Sequence, residues 1–285
     1  MDQRIIKLFD EYTHKPLKRD EFLKRLARLT GGMAAALMVL PLLEVNYAQA
    51  ATVPHEDDRI ITESITFPGA NTVMKGYMAR PAAPGTYPAV VVIHENRGLN
   101  PHIEDIARRV ALAGFVALAP DALSATGGTP TDETQMRELF GKLDATATRN
   151  NFVKAVDFLQ TQANGTGKVG CVGFCWGGAM ANQLAIHAPD LKAAVSFYGR
   201  QPDAADVPSM KAAVQLHYGG LDERINAGIS AYEAALKTAG VPYELHLYEG
   251  VQHAFNNDTA PTRYNEAAAK LAWERTIKFL KEKLV

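Results

Sequence analysis

The segment Gly173-Phe174-Cys175-Trp176-Gly177-Gly178 constrains this chain more than any other. Residues 168–174 before it form a β-rich run, and 178–187 after it reads as a helix. A strand that turns directly into a helix forces a strained backbone on the residue at the tip, here Cys175. Side chains two residues before and two after the tip would collide, which accounts for glycine at both places. Gly-x-nucleophile-x-Gly between a strand and a helix is the pattern of a nucleophile elbow, with Cys where Ser is usual. The alternative is a buried free thiol in a glycine-rich turn.

Around this elbow, strand and helix signals alternate. Residues 59–67 alternate in the two-residue period of a half-buried strand, and 72–79 is its hairpin partner after a turn at 69–71. The continuous apolar run 89–93 suits a parallel strand covered on both faces. Further strands are expected at about 115–119, 168–174, 193–198, 212–217 and 243–248. Helices are expected at about 100–113, 132–162 in two pieces, 178–187, 225–238 and 263–283. This predicts an α/β fold: a mostly parallel eight-stranded sheet with helices on both faces, over residues 51–285. Cys175 then follows the fifth strand.

A cysteine nucleophile needs a base and a group to orient that base. Functional groups in open parallel sheets gather at the carboxyl ends of strands. Asp222 follows the seventh strand and His253 the eighth. Nucleophile, acid and histidine in that chain order are those of the α/β-hydrolase fold. Asp222 also suits a helix N-cap, Glu223 competes for the acid role, and His253 has the alternative of an ordinary loop histidine. His217 and His246 lie within strands and read as structural. His94 ends the third strand beside Glu95. The backbone N–H groups of Trp176 and Asn96 are the expected oxyanion donors.

Composition excludes several classes. Hydrophobic residues make up 47% of the 285, enough for a large core, and the formal net charge of −1 offers no basic footprint for nucleic acid. Cys171 and Cys175, on one strand and its turn, stand about 13 Å apart, too far for a disulfide. A structural zinc site needs more Cys/His ligands at metal spacing. No metal or organic cofactor is called for.

Residues 1–50 form a separate extension. A basic stretch to residue 30 precedes an apolar run, 31–43, of signal-peptide length and too short to span a bilayer. Ala48-Gln49-Ala50 offers a small-x-small cleavage site. The segment resembles a twin-arginine export signal, although Asp20 stands where the second arginine belongs. Export, to the periplasm, is the expectation. The alternative is a cytoplasmic protein whose N-terminal helices are retained and packed near the site.

The motifs taken together resemble the dienelactone hydrolase (carboxymethylenebutenolidase) family over residues 59–283. The pieces are Ile93-His94-Glu95 with Gly98, Ala119-Pro120-Asp121, the Cys175 elbow, Phe197-Tyr198-Gly199, Gly219-Gly220-x-Asp222 and His253-Ala254-Phe255. The resemblance implies an esterase or lactonase with a Cys175–His253–Asp222 triad, and it implies that Glu95 pairs with the resting cysteine. Glu95 otherwise reads as a surface loop acid. The family's founding members hold a carboxylate substrate with two arginines. Here the loop at 121–128 has no arginine, and the position four residues after His253 is Asn257. Arg97, Tyr198 and Arg200 are the remaining substrate-contact candidates, and the substrate is expected to be a small ester or lactone other than dienelactone. Other readings are a thioesterase or acyltransferase on the same site, or a catalytically silent binding scaffold. The sequence carries no sign of oligomeric state.

Overall fold

Ala89-Val-Val-Val-Ile93 shows why the sheet forms where it does. Alternate side chains of a strand point to opposite faces. Ala89, Val91 and Ile93 enter one core layer and Val90 and Val92 the other. All five are buried, and each large side chain contributes roughly 1.5–3 kcal/mol by leaving water. A strand apolar on both faces is stable only between two layers of helices.

The computed structural model describes residues 1–15, 17–45 and 52–285. Eight strands make one sheet: β1 (Ile60–Pro68), β2 (Val73–Pro81), β3 (Tyr87–Ile93), β4 (Val116–Pro120), β5 (Gly165–Phe174), β6 (Ala193–Phe197), β7 (Ala213–Gly219) and β8 (Tyr243–Tyr248). Their order is β1-β2-β4-β3-β5-β6-β7-β8. β1 and β2 form the expected hairpin, with Pro68 opposite Val73. β2 pairs with β4 antiparallel, and every pairing from β4 across to β8 is parallel. The sheet is thus mixed at one end and parallel where the site lies.

Three helices precede the sheet: α1 (Gln3–His14), α2 (Arg19–Thr30) and α3 (Met33–Leu43). They are followed by α4 (Pro101–Leu112), α5 (Glu133–Phe140), α6 (Ala145–Gln160), α7 (Trp176–His187), α8 (Glu223–Asn226), α9 (Ile229–Ala239) and α10 (Glu266–Leu284). Phe152 and Leu159 of α6, Leu184 of α7 and Leu236 of α9 share one core layer. Ile106 and Val110 of α4 and Phe279 and Leu280 of α10 share the other.

Helices α1–α3 have their own small core, centred on Phe9, Phe22, Leu26 and Leu43. α2 and α3 meet at 108° across Gly31 and Gly32, whose φ angles are +86° and +150°. The apolar run of the signal-like segment is helix α3, with Leu37, Met38 and Leu42 exposed. Among the described residues no single helix is long and apolar enough to cross a membrane. The candidate cleavage site at 48–50 lies outside the described residues.

α1 docks over the carboxyl ends of the strands. Asp10 of α1 pairs with Arg224 at 3.1 Å, Lys7 with Glu223 at 2.9 Å, and Asn96 Nδ2 donates to Thr13 O at 2.8 Å. The described part of the extension thus folds as helices α1–α3, and α1 reaches the site.

Candidate active site

Cys175 sits between β5 and α7 with φ 55° and ψ −111°, a region that L-residues rarely adopt. Its N–H donates to Phe197 O on β6 at 3.0 Å, which ties the strained tip to the sheet. A Cβ on Gly173 would lie 1.9 Å from Gly177 O, and one on Gly177 would lie 2.3 Å from Ile93 O. The glycines are required by contact, as the collision argument expects.

Asp222 and His253 come together from the ends of β7 and β8. His253 Nδ1 lies 2.5 Å from Asp222 Oδ2, and both residues are buried. A carboxylate on Nδ1 fixes the proton there and leaves Nε2 with a lone pair. Nε2 is itself buried and makes no hydrogen bond among the described residues. Asp222 also caps α8, its Oδ1 accepting from Ile225 N at 3.3 Å. The two oxygens of Asp222 thus face different partners, Oδ1 the backbone of α8 and Oδ2 the His253 ring. Glu223 faces outward and pairs with Lys7.

The contact to the Cys175 thiol comes from an unexpected place. His14, the last residue of α1, puts Nε2 at 3.1 Å from Cys175 Sγ. Its Nδ1 donates to Asp10 O at 2.9 Å and lies 3.0 Å from the Asp10 carboxylate. Burial disfavours the charged His14 ring, but the Cys175 sulfur and the Asp10 carboxylate outweigh it and hold the pKa up at about 9. His14 and His253 meet edge to face, ring centroids 4.9 Å apart.

Glu95 is buried but is not bonded to the thiol among the described residues. Its Oε2 accepts from Asn257 Nδ2 at 2.8 Å. The expected Glu95–Cys175 pairing is thus replaced by a His14–Cys175 pairing. Asn257, at the position where the resemblance leads one to look for an arginine, bonds to Glu95. A further cation, Arg263, is buried beneath the site and faces Glu95, Asp10 and Cys175.

Cys175, His253, His14, Trp176, Tyr198 and Arg200 all line a cleft of about 800 Å³. Tyr198 has a strained φ of 40° and packs its ring 5.0 Å from that of His253. Arg200 is at the exposed rim. Arg97 is elsewhere: it is buried, paired with Glu133, and absent from the cleft lining. Arg137, which sequence reasoning passed over, lines the cleft 4.2 Å over the Tyr12 ring. His94 is structural: Nδ1 donates to Glu95 O at 2.5 Å, Nε2 accepts from Ala122 N at 3.1 Å, and the ring stacks on Trp176.

Cys175 Sγ and the His14 and His253 nitrogens lie within 4.8 Å of one another, the sole such donor group among the described residues. Sulfur and imidazole are soft-metal donors. The same short distances also suit proton transfer between the sulfur and the imidazoles.

The site residues missed were His14, Asp10 and Arg263. Asp10 and His14, four apart on a helix, were visible as a pair on one helix face. A leader at residues 1–50 would place both outside the folded domain.

The dienelactone hydrolase family model matches residues 74–284. A Salmonella typhimurium protein named "Putative carboxymethylenebutenolidase" is 34% identical over 247 residues, covering 81% of this chain and 91% of its own. A crystal structure named "Putative Dienelactone Hydrolase" from Klebsiella pneumoniae has 29% identity and a TM-score of 0.71, covering 78% of this chain and 98% of that one. A dienelactone hydrolase-like promiscuous phosphotriesterase from metagenomic libraries, 24% identical with a TM-score of 0.70, shares the fold over 80% of this chain and all of that one. The chain belongs to the dienelactone hydrolase family, hydrolases of esters and lactones built on the α/β-hydrolase fold.

Proposed function

We propose that this hydrolase cleaves a small ester or lactone through a Cys175–His253–Asp222 triad and an acyl-enzyme. The observation that carries the proposal is the 2.5 Å His253–Asp222 contact, which leaves His253 Nε2 unbonded on a ring that has a nitrogen within 4.8 Å of the Cys175 sulfur.

Attack of Cys175 Sγ on the carbonyl carbon forms the S–C bond and moves the carbonyl electrons onto oxygen. The N–H of Trp176, first in its helix, has no carbonyl within that helix to receive it. With the Asn96 N–H it would hold the oxyanion, beside the positive end of the α7 dipole. Collapse breaks the bond to the leaving oxygen, which takes the proton that the Cys175 thiol gave up to an imidazole of the site. His253 Nε2 then removes a proton from water, hydroxide attacks the thioester, and Sγ departs with its electron pair. The Asp222 carboxylate holds His253 in the tautomer each step needs.

The substrate reading rests on the cleft. Arg200 at its rim and Arg137 on its wall supply positive charge from positions other than those expected for dienelactone.

The test is hydrolysis of p-nitrophenyl acetate and of a simple lactone by wild type and Cys175→Ala, with iodoacetamide labelling read by mass. Activity lost in Cys175→Ala and labelling confined to Cys175 support the proposal. Cys171, whose thiol is pushed far up by burial, should remain unmodified until the protein unfolds. Hydrolysis by Cys175→Ala at the wild-type rate would sink the triad.

A further inference from the structure

We propose that His14, carried on the N-terminal helix, is a second catalytic histidine that holds Cys175 as a thiolate and returns the proton to the leaving group. The inference rests on the triad reading above and divides its proton transfers between two imidazoles.

The geometry is specific. His14 Nδ1 donates to Asp10 O at 2.9 Å, so that nitrogen carries a proton. Nε2 then meets the thiol at 3.1 Å as a base, and Cys175 is its only bonded partner among the described residues. The Asp10 carboxylate, 3.0 Å from Nδ1, favours the imidazolium that forms on proton transfer. His14–Asp10 thereby repeats the relation of His253 to Asp222, with the two imidazoles in edge-to-face contact beside the sulfur. The charged and titratable groups facing His14 are Asp10 on its own helix, Cys175 at the elbow, His253 after β8, and Arg224 on α8 through its bond to Asp10.

The position is held by more than one contact. Thr13 O accepts from Asn96 Nδ2, Asp10 pairs with Arg224, and Phe9 is buried with Arg263 over its ring at 5.4 Å. The residue anchoring the end of α1 is thus Asn96, whose N–H is an oxyanion donor in the proposed mechanism. Extension and active site are built as one unit.

A single histidine must be protonated to keep a thiolate and neutral to activate water. One histidine can meet these needs only in successive steps, whereas two divide them between separate imidazoles. In the resting enzyme the Cys175 proton is on His14 Nε2. Thiolate attack and collapse release the leaving oxygen, which takes that proton and departs as the alcohol, leaving His14 neutral. His253 Nε2 takes a proton from water for deacylation, and thiolate and carboxylic acid emerge. One of the two protons now held by His253 and the acid recharges His14, and the other goes to solvent. The sum is ester plus water to carboxylate, alcohol and a proton.

The experiment compares full-length wild type, His14→Gln, Asp10→Asn and His253→Ala, each with melting temperature as a control on folding. Thiolate ultraviolet absorbance is measured at neutral pH, alongside the burst and steady-state rates of p-nitrophenyl acetate hydrolysis. We expect His14→Gln to lose the thiolate band and slow the burst on the order of 10²-fold. Asp10→Asn should do the same in smaller measure, and added imidazole should restore part of the His14→Gln burst. His253→Ala should keep the thiolate band and accumulate acyl-enzyme. A His14→Gln enzyme with wild-type thiolate absorbance and burst would overturn the role of His14 while leaving the triad intact. A faster His14→Gln enzyme would also overturn it, by showing the helix to be an inhibitory plug. Loss of activity on exhaustive chelation would overturn it in favour of a metal held by the same atoms. Full activity in Cys175→Ala, by contrast, defeats the triad and this inference together.

Discussion

Asn257 Nδ2 donates to Glu95 Oε2 at 2.8 Å, joining the loop after β3 to the loop after His253 across 162 residues. The bond holds a buried carboxylate beside the nucleophile without letting it reach the sulfur. Asn257 Oδ1 in turn accepts from Thr259 N at 3.0 Å and Thr259 Oγ1 at 2.6 Å. Every polar atom of this amide has a use, so an apolar replacement leaves several partners unsatisfied.

Asn257→Leu should therefore destabilise the protein by roughly 1–3 kcal/mol, the cost of leaving buried polar groups unpaired. Urea unfolding at neutral pH measures this. Stability equal to wild type would mean that Glu95 finds another donor, and Arg263 is the nearest buried candidate. Activity should fall as well, because Glu95 O also positions His94 beneath Trp176.

Asp222 carries two duties on separate oxygens, and substitutions separate them. Asp222→Asn keeps an acceptor for Ile225 N but can present an amide N–H to His253, favouring the wrong tautomer. The expected result is a fall in kcat on the order of 10²–10⁴-fold with little change in melting temperature. Asp222→Ala should lose comparable activity and also about 1 kcal/mol of stability, through the lost cap of α8. A Asp222→Asn enzyme at half the wild-type rate would remove Asp222 from the triad.

The sheet and elbow were legible because local sterics and burial decide them. The run 89–93 could only be a doubly covered strand, and a Cβ at Gly173 would lie 1.9 Å from Gly177 O, so the elbow glycines leave little choice. Asp222 and His253 were legible because strand order fixes where their loops end. Two features resisted. Glu95 could be placed near Cys175, but its hydrogen-bond partner depends on Asn257, which lies in a different loop. The place of His14 at the thiol was not legible, because nothing local in the α1 sequence states where that helix docks. Its docking is written in contacts from distant residues, Arg224, Glu223 and Asn96. The apolar run 31–43 also reads equally well as a leader and as a helix, since length and hydropathy are common to both.

Asp258, next to Asn257, makes stability depend on acid. Burial raises its pKa, but His102 Nδ1 at 3.0 Å from Oδ1 and the Arg109 guanidinium on Oδ2 outweigh this and bring it down to about 2 from an ordinary 3.8. A carboxyl with a depressed pKa in the folded state contributes stability above its unfolded pKa. That contribution is lost as pH falls from about 3.8 through about 2. The side chain is 16% exposed, so the full shift converts to at most about 2 kcal/mol. Asp258→Asn should thus be less stable than wild type by up to about 2 kcal/mol at pH 7, by urea unfolding. The gap should narrow as the pH is lowered from about 4 and close near pH 2. A gap of constant size across that range would assign the stabilisation to packing rather than to the charge of Asp258.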